Sequence, residues 1–479
     1  MYQIDMDLHS YYRHPCVRAR IIDALGASTL DASSALFLTD YDRPHHAELH
    51  IRHAHELEFY LDGHLDISRS LWDRKHLIAH LDVEYVNFDF HAEPYLDPHR
   101  AFALQHPCET AIETVLLRYG ISPRHFLSGR GHHFAWAINR HSEVFYRLAS
   151  LGHFSEEQKQ YYAHHVAPGG EKIDPSLGAA FAGLSQVMEF VAREALRRAR
   201  RKTPIPVELS AIAVEPRERG REMVSLDISE YGDPLNTRLF RLPYTVYLKP
   251  WRRWGDLGPD LQARIPHMVM IPLFEMSIHE GVDVMRSLKR SAALASRAPG
   301  SLLDQTRETH ALLDAYERSP AARFHRFYYQ KEHEPCWRWP ETYDAIDLAA
   351  LPDCVSFALA HPNDLLVQPA VIRMIVRALV ALDWHPRTIA GLLRSKYERD
   401  YAWGNEWYFY HAATRADFYT RVFAAQILLG EDVCEDFSCE HYRGAGLRTH
   451  SGAPCWLHEL RQELQHKQKN FHTRDGRNS

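Results

Sequence analysis

Hydrophobic and polar positions follow two different periods along the chain, and the changes of period mark its elements. Apolar residues recur at helical spacing over Val17 to Leu25 and Ala47 to Leu61, so the first 60 residues read as mostly helical, with sheet beginning later. Leu77 to Phe90 alternates and is rich in Val, Tyr and Phe, which predicts a strand. Cys108 to Tyr119 reads as a helix that ends at Gly120, a common capping residue. His125 to Leu127 and Phe134 to Ile138 flank the turn Ser128-Gly129-Arg130-Gly131, a strand, turn, strand pattern. Pro175 to Arg201 is strongly helical; beyond Pro204-Ile205-Pro206, the segments Glu208 to Val214, Met223 to Ile228 and Thr237 to Pro243 read as short strands. Trp251 to about Glu332 reads as helices without a chemical motif. From Asp347 the pattern is helical again, most regularly over Ala370 to Leu382, and the polar tail from about Lys467 is expected to be disordered.

This order predicts an α+β chain: a mixed sheet with flanking helices, then a mainly helical, cysteine-rich part. A length of 479 residues allows two to four domains. Apolar stretches such as Val367 to Trp384 are interrupted by Gln368, Arg373, Arg377 and Asp383, and none reaches the roughly 18 to 20 clean apolar residues of a membrane span. The acidic start, Met1 to Asp7, lacks a basic segment followed by an apolar one, so a cytoplasmic location is expected. The formal charge, 56 minus 62 or −6, disfavours a purely electrostatic nucleic-acid binder unless the basic residues cluster. They do cluster. Arg193, Arg197, Arg198, Arg200, Arg201 and Lys202 form one run, and Arg373, Arg377, Arg387, Arg394, Lys396 and Arg399 a second; either is equally a solvated helix face. The 33 histidines include no HExxH pattern and read mostly as surface residues. Of seven cysteines, Cys16 and Cys108 are isolated, whereas Cys336, Cys354, Cys434, Cys439 and Cys455 fall in the last third, which in a reducing compartment favours metal ligation over disulfides.

Three places carry candidate chemistry. In His80-Leu81-Asp82-Val83-Glu84, residues two apart on a strand share a face, so Asp82 and Glu84 stand side by side and repel unless a divalent cation lies between them. Carboxylate pairs at strand ends also occur without a metal. Asp227 interrupts the apolar run Met223 to Ile228 and needs a partner charge; Arg238, Arg241 and Lys249 follow at once. Three acids on two separate strands could hold two Mg²⁺ or Mn²⁺ ions, with Arg and Lys binding a triphosphate. Between them, Ser128-Gly129-Arg130-Gly131-His132-His133 combines glycines that admit close backbone approach to a ligand with a hydroxyl, a guanidinium and an imidazole, a set suited to phosphate.

These motifs, in this order, resemble the archaeo-eukaryotic primase superfamily, in particular the catalytic small subunit of replicative primase. Asp82 and Glu84 match its DxD or DxE, Ser128, Arg130 and His133 its SGRxGxH-type turn, Asp227 its later acid, and Arg241, just before Leu242-Pro243, its phosphate-binding cation. Two departures stand out: the turn is one residue shorter than the eukaryotic form, and Tyr247 replaces a second nucleotide-binding histidine, with Lys249 close by as a phosphate ligand. Leu351-Pro352-Asp353-Cys354, the segment Ala378 to Leu393, Phe437-Ser438-Cys439 and Ala453-Pro454-Cys455 are similar to the iron-sulfur domain of the primase large subunit. The resemblance implies a primase-type catalytic domain over 1–250, a helical connector over 251–340, an iron-sulfur domain over 341–466 and a disordered tail over 467–479. It implies DNA-templated nucleotidyl transfer, a primase or primase-polymerase that makes or extends primers: Asp82, Glu84 and Asp227 hold Mg²⁺ or Mn²⁺, and Ser128, Arg130, His133, Arg241 and Lys249 hold the nucleotide. Cys354, Cys434, Cys439 and Cys455 would hold a 4Fe-4S cluster, with zinc or mere packing as alternatives and Cys336 in reserve. Partners would be single-stranded DNA, NTPs or dNTPs, and a helicase or a replication or defence complex, with no membrane; the Arg-rich helices and Trp403, Trp407 and Tyr408 would grip template and initiating nucleotide. Two rivals remain: a non-catalytic nucleic-acid-binding subunit of primase fold, and a DEDD-type 3′–5′ exonuclease, for which His411 and Asp417 are one residue too far apart.

Overall fold

Strict alternation makes the longest strand of the fold two-faced. In His76–Asn87, Leu77, Ala79, Leu81, Val83 and Tyr85 are fully buried on one side, while His80, Asp82 and Glu84 line the other. The computed structural model describes residues 6–40, 51–164, 166–167, 171–172, 174–210, 221–232, 240–252, 257–403, 411–444 and 456–475. Its strands are β1 (Leu38–Asp40), β2 (Ile67–Arg69), β3 (His76–Asn87), β4 (Arg124–Ser128), β5 (Gly131–Asn139), β6 (Val166–Ala167), β7 (Glu171–Lys172), β8 (Val207–Leu209), β9 (Glu222–Asp227), β10 (Phe240–Arg241), β11 (Val246–Tyr247), β12 (Met268–Val269) and β13 (Ile271–Pro272). A six-stranded sheet in the order β13-β4-β5-β3-β9-β8 is antiparallel except for the parallel pair β8 and β9. A smaller antiparallel sheet has the order β1-β2-β10. The fold is thus mixed α+β, as the order of elements predicts.

Helices cover the apolar side of the large sheet. The Pro98–Leu117 helix starts where Asp97 accepts a hydrogen bond from the Arg100 backbone amide and Pro98 supplies the first-turn φ, ten residues before the expected start, and it carries Pro107 inside. Its Phe102 meets His132 of β5 edge to face, with ring centroids 4.9 Å apart. On the polar side, Phe240 of β10 packs edge to face on His80 and Phe126, at 5.2 and 5.5 Å, so the smaller sheet lies over that face.

Several expectations need correction. Sheet begins at β1, within the first 60 residues, because a three-residue strand is too short to show alternation and is defined by its pairing with β2. The stretch expected to hold only helices contributes β12 and β13; Pro272 fits the edge of the sheet, where a missing N–H costs no ladder bond. The chain divides into two compact units. One comprises Met1–Leu209, Glu222–Ile228 and Arg238–Asp314; the other comprises Ser210–Arg221, Ser229–Thr237 and Ala315–Ser479, so residues 251–340 are shared between them. The expected disorder from residue 467 gives way to helix: Leu457–Asp475 runs through it. Lys467 explains this, since its Nζ donates to the Val380 and Ala381 carbonyls at 3.1 and 2.7 Å and so caps the Pro369–Ala381 helix.

The second unit is helical and built around buried ion pairs. Arg377 is 1% exposed and donates to both oxygens of Asp432, at 2.7 and 2.6 Å, and to Asp436 at 2.8 Å; Arg373 donates to the other Asp436 oxygen at 2.8 Å. Arg387 lies 3.0 Å from Asp417 and beside the rings of Tyr328 and Tyr329. Burial alone would raise the Asp432 and Asp436 carboxyls, but the arginines hold both below the usual range. Removing Arg377 would strand the buried Asp432 carboxylate and leave Asp436 to Arg373 alone. Arg377→Met should therefore lower the unfolding free energy by about 3–5 kcal/mol; a denaturant midpoint unchanged from wild type would show that the network contributes nothing to this core.

Candidate active site

Register places the candidate residues. Asp82, on the central strand β3, lies directly opposite His133 of β5 on one flank and Asp227 of β9 on the other. Directly opposed residues project from one face, and so do residues two apart along a strand. His80, Asp82, Glu84, His133, Ser225, Asp227, Phe126 and Ser128 therefore share the side beneath the smaller sheet. All lie in the first unit, with Arg130, Arg241 and Lys249.

The face balances its own charge. Glu84 forms an ion pair with Arg130 through one oxygen, and its other oxygen lies 3.5 Å from Lys249 Nζ. Burial disfavours the charged guanidinium, yet the Glu84 carboxylate offsets this and raises the Arg130 pKa. Asp82 Oδ1 lies 3.4 Å from His133 Nδ1, and that nitrogen is 3.2 Å from His80 Nε2, with the two rings stacked at 5.4 Å. Burial holds both imidazoles neutral, with pKa values lowered to about 3 against the pull of Asp227 on His80 and of Glu84 on His133. Two uncharged rings thus flank the acids and can give or take a hydrogen bond without adding charge. His80 had no assigned role in the sequence reading; its place two residues before Asp82, on the same strand face, is the signal that would have found it.

The glycines of the turn work differently from the expectation. A side chain on Gly129, whose φ is +53°, would strike the Tyr247 ring at 2.5 Å, and one on Gly131 would meet the Val83 carbonyl oxygen at 2.0 Å. Close approach here is to β3 and to Tyr247. Tyr247 is buried, its hydroxyl 3.1 Å from that of Tyr95 and its ring 4.6 Å from the Arg241 guanidinium, so it packs the turn. Arg241 is ion-paired with Asp66, an acid that the motif reading missed and that local sequence does not signal. Ser128 is buried and its Oγ has no hydrogen-bond partner among the described residues. Arg238, Trp407 and Tyr408 lie outside those residues.

Asp82 and Asp227 present hard carboxylate oxygens from adjacent strands, which suits Mg²⁺ or Mn²⁺. Glu84 is engaged by cations, and among the described residues the three acids do not close into a set of donor atoms within 4.8 Å of one another. In the second unit Cys354 and Cys434 are buried, Cys439 is partly exposed, and Cys455 lies outside the described residues. None of the described cysteines joins a three-ligand cluster. Burial pushes the Cys434 thiol up to about 12, and its Sγ donates to the Asp432 carbonyl at 3.8 Å.

The basic runs are largely structural. Arg373, Arg377, Arg387 and Lys396 are buried, Arg399 pairs with Asp344 at 2.6 Å and Arg394 with Glu398 at 2.5 Å, and Trp403 donates to the Arg399 carbonyl at 2.8 Å. In the first run Arg193 is buried beside Glu189 and Arg197 pairs with Glu194, while Arg201 and Lys202 face solvent. Comparison of the chain with protein-family models, with curated proteins and with solved structures yields no match.

The buried imidazoles make stability depend on pH. Their folded pKa values of about 3 lie below the roughly 6.5 of an unfolded histidine, so the unfolded chain binds more protons between those values. The contribution is complete above about pH 6.5 and is lost as pH falls from there toward about 3, by up to about 1.4 kcal/mol per pH unit for each histidine. Urea midpoints measured between pH 7.5 and 4.5 should fall, and His80→Gln should make the fall shallower; parallel curves for the two proteins would refute a buried neutral pair.

Proposed function

We propose that the acidic face of the large sheet is a nucleotidyl-transfer site of the primase kind, which makes or extends primers on single-stranded DNA from NTPs or dNTPs. One observation carries the reading: Asp82 stands in register between Asp227 and His133, which puts two carboxylates of separate strands on one face with Glu84, the partner of Arg130 in the turn. The order of acid pair, SGRGHH turn, late acid and cation along the chain supports the primase superfamily over other two-metal enzymes.

Asp82 and Asp227 would hold Mg²⁺ or Mn²⁺, which when bound lowers the pKa of the attacking hydroxyl and offsets charge on the leaving pyrophosphate. Arg130 and Lys249 now neutralise Glu84. An incoming triphosphate is the stronger anion for them, and their transfer to it frees Glu84 to join the other two acids. Ser128 Oγ, without a hydrogen-bond partner among the described residues, donates to a phosphate oxygen, and His133, held neutral, orients Asp82. Arg241 stays fixed by Asp66 and Tyr247 as a rigid positive charge. The cysteine-rich unit, similar in sequence to the primase large subunit, carries no step of this scheme.

The exonuclease reading is weaker on a specific point. Asp417, its fourth acid, is already held by Arg387 at 3.0 Å, His333 at 2.9 Å and the Tyr328 hydroxyl at 2.9 Å, as a structural acid would be.

Asp82→Asn and Asp227→Asn should each cut incorporation of labelled nucleotide on single-stranded DNA by about 100-fold or more, with circular dichroism and melting temperature close to wild type. Arg130→Ala should raise the nucleotide KM more than it lowers kcat. A folded Asp82→Asn protein with near-normal synthesis would overturn the assignment.

A further inference from the structure

The helix-covered side of the same sheet carries a second cluster of ligating groups, and we infer that Glu109, Glu113 and His125 bind a first-row divalent transition ion there. The inference is independent of the reading of the acidic face. Glu109 and Glu113 lie four residues apart on the Pro98–Leu117 helix, so both point from one side of it. His125 rises from β4 on the sheet side opposite Phe126 and Ser128. One donor atom from each of the three residues falls within 4.8 Å of the others.

Two features separate this cluster from an incidental group of acids. His125 is 8% exposed, and its Nδ1 has no hydrogen-bond partner while lying 3.4 Å from Glu113 Oε1. Its other ring nitrogen, Nε2, is 2.9 Å from Nδ1 of the fully buried His132. With Nε2–H donating to His132, the Nδ1 lone pair points at the carboxylates, the arrangement by which a backing group fixes a metal-binding imidazole. The second feature is uncompensated charge. Glu109 is 6% exposed, and among the described residues the two glutamates contact His106, Thr110 and His125, with no Lys or Arg among them. Burial and the nearby Glu113 charge both raise the Glu109 pKa, whereas the contact with His125 lowers that of Glu113.

The donor set names the ligand class. One imidazole nitrogen and two carboxylate oxygens suit Zn²⁺, Mn²⁺ or Fe²⁺ better than Mg²⁺ or Ca²⁺, which favour oxygen alone. Glu113 is half exposed, which leaves a path for the ion and room for water to complete its coordination. An ion here ties the helix to β4, the strand whose last residue is Ser128, and so braces the turn from behind. A second cluster, His99, His279 and Asp283, also falls within 4.8 Å, but it lies at the surface, its two imidazoles stack at 3.9 Å, and it holds no buried unpartnered nitrogen; it serves as the control.

The test uses the full chain, stripped with chelator and dialysed against Zn²⁺, with bound metal measured by mass spectrometry and melting temperature recorded with and without the ion. Wild type and His279→Gln should bind one more equivalent than Glu113→Gln, and Zn²⁺ should raise their melting temperatures but not that of Glu113→Gln. Ions at Asp82, Asp227 or the cysteines are common to all three proteins and cancel in the difference. His125→Gln should match Glu113→Gln; if it fails to fold, the half-exposed Glu113 still decides. Full stoichiometry in Glu113→Gln, or loss of the equivalent in His279→Gln instead, overturns the site.

Discussion

The two-sidedness of β3 governs the first unit. Its odd-numbered positions are apolar and wholly buried under helices, and its even-numbered positions carry His80, Asp82 and Glu84 toward the smaller sheet. A slip of one residue would send the acids into the apolar layer and Leu81 and Val83 out of it, so the register against β5 and β9 is fixed by burial. That register, in turn, is what brings Asp82, Asp227 and His133 together. The same alternation divides the neighbouring histidines of β5: His133 faces the acids, and His132 faces the helices and backs His125.

Charge on a largely enclosed face must be met, and the chain meets it in two ways. On the acidic face Arg130 and Lys249 neutralise Glu84, and two imidazoles remain uncharged beside Asp82. The pairs with His133 and Lys249, at 3.4 and 3.5 Å, are weak enough in geometry to be exchanged for a stronger anion or cation, whereas Arg130 is in close contact with Glu84. In the second unit the pairing is of another kind. Arg377 is bidentate to Asp432, tightly bonded and almost without exposure, as suits a group whose work is to hold helices together.

What was legible in the sequence follows from how local each cause is. Alternation over Leu77 to Phe90 reported a two-faced strand because burial acts on each residue separately, and the sharing of a face by Asp82 and Glu84 followed from the period of two. The opposition of Asp82 to Asp227 depends on pairing between positions 145 apart in the chain, which no local pattern encodes. The glycines at 129 and 131 signalled close approach correctly but not its object, which is Tyr247 and β3. The second arginine run read as a basic surface because composition does not reveal that Asp432 and Asp436 fold back upon it. The polar tail read as disordered because the capping by Lys467 involves carbonyls far away in sequence. Glu109, Glu113 and His125 offered no signal, since glutamates four apart are ordinary on a helix and the histidine arrives from another element.

The central claim is that the acidic face transfers nucleotides under the direction of a template. The most direct measurement supplies the full chain with single-stranded DNA of defined sequence, Mg²⁺ or Mn²⁺, and one labelled nucleotide at a time. Incorporation only of the nucleotide complementary to the template, and only with the divalent ion present, is the result predicted. Tight DNA binding without any incorporation, or shortening of the DNA in place of synthesis, would contradict it.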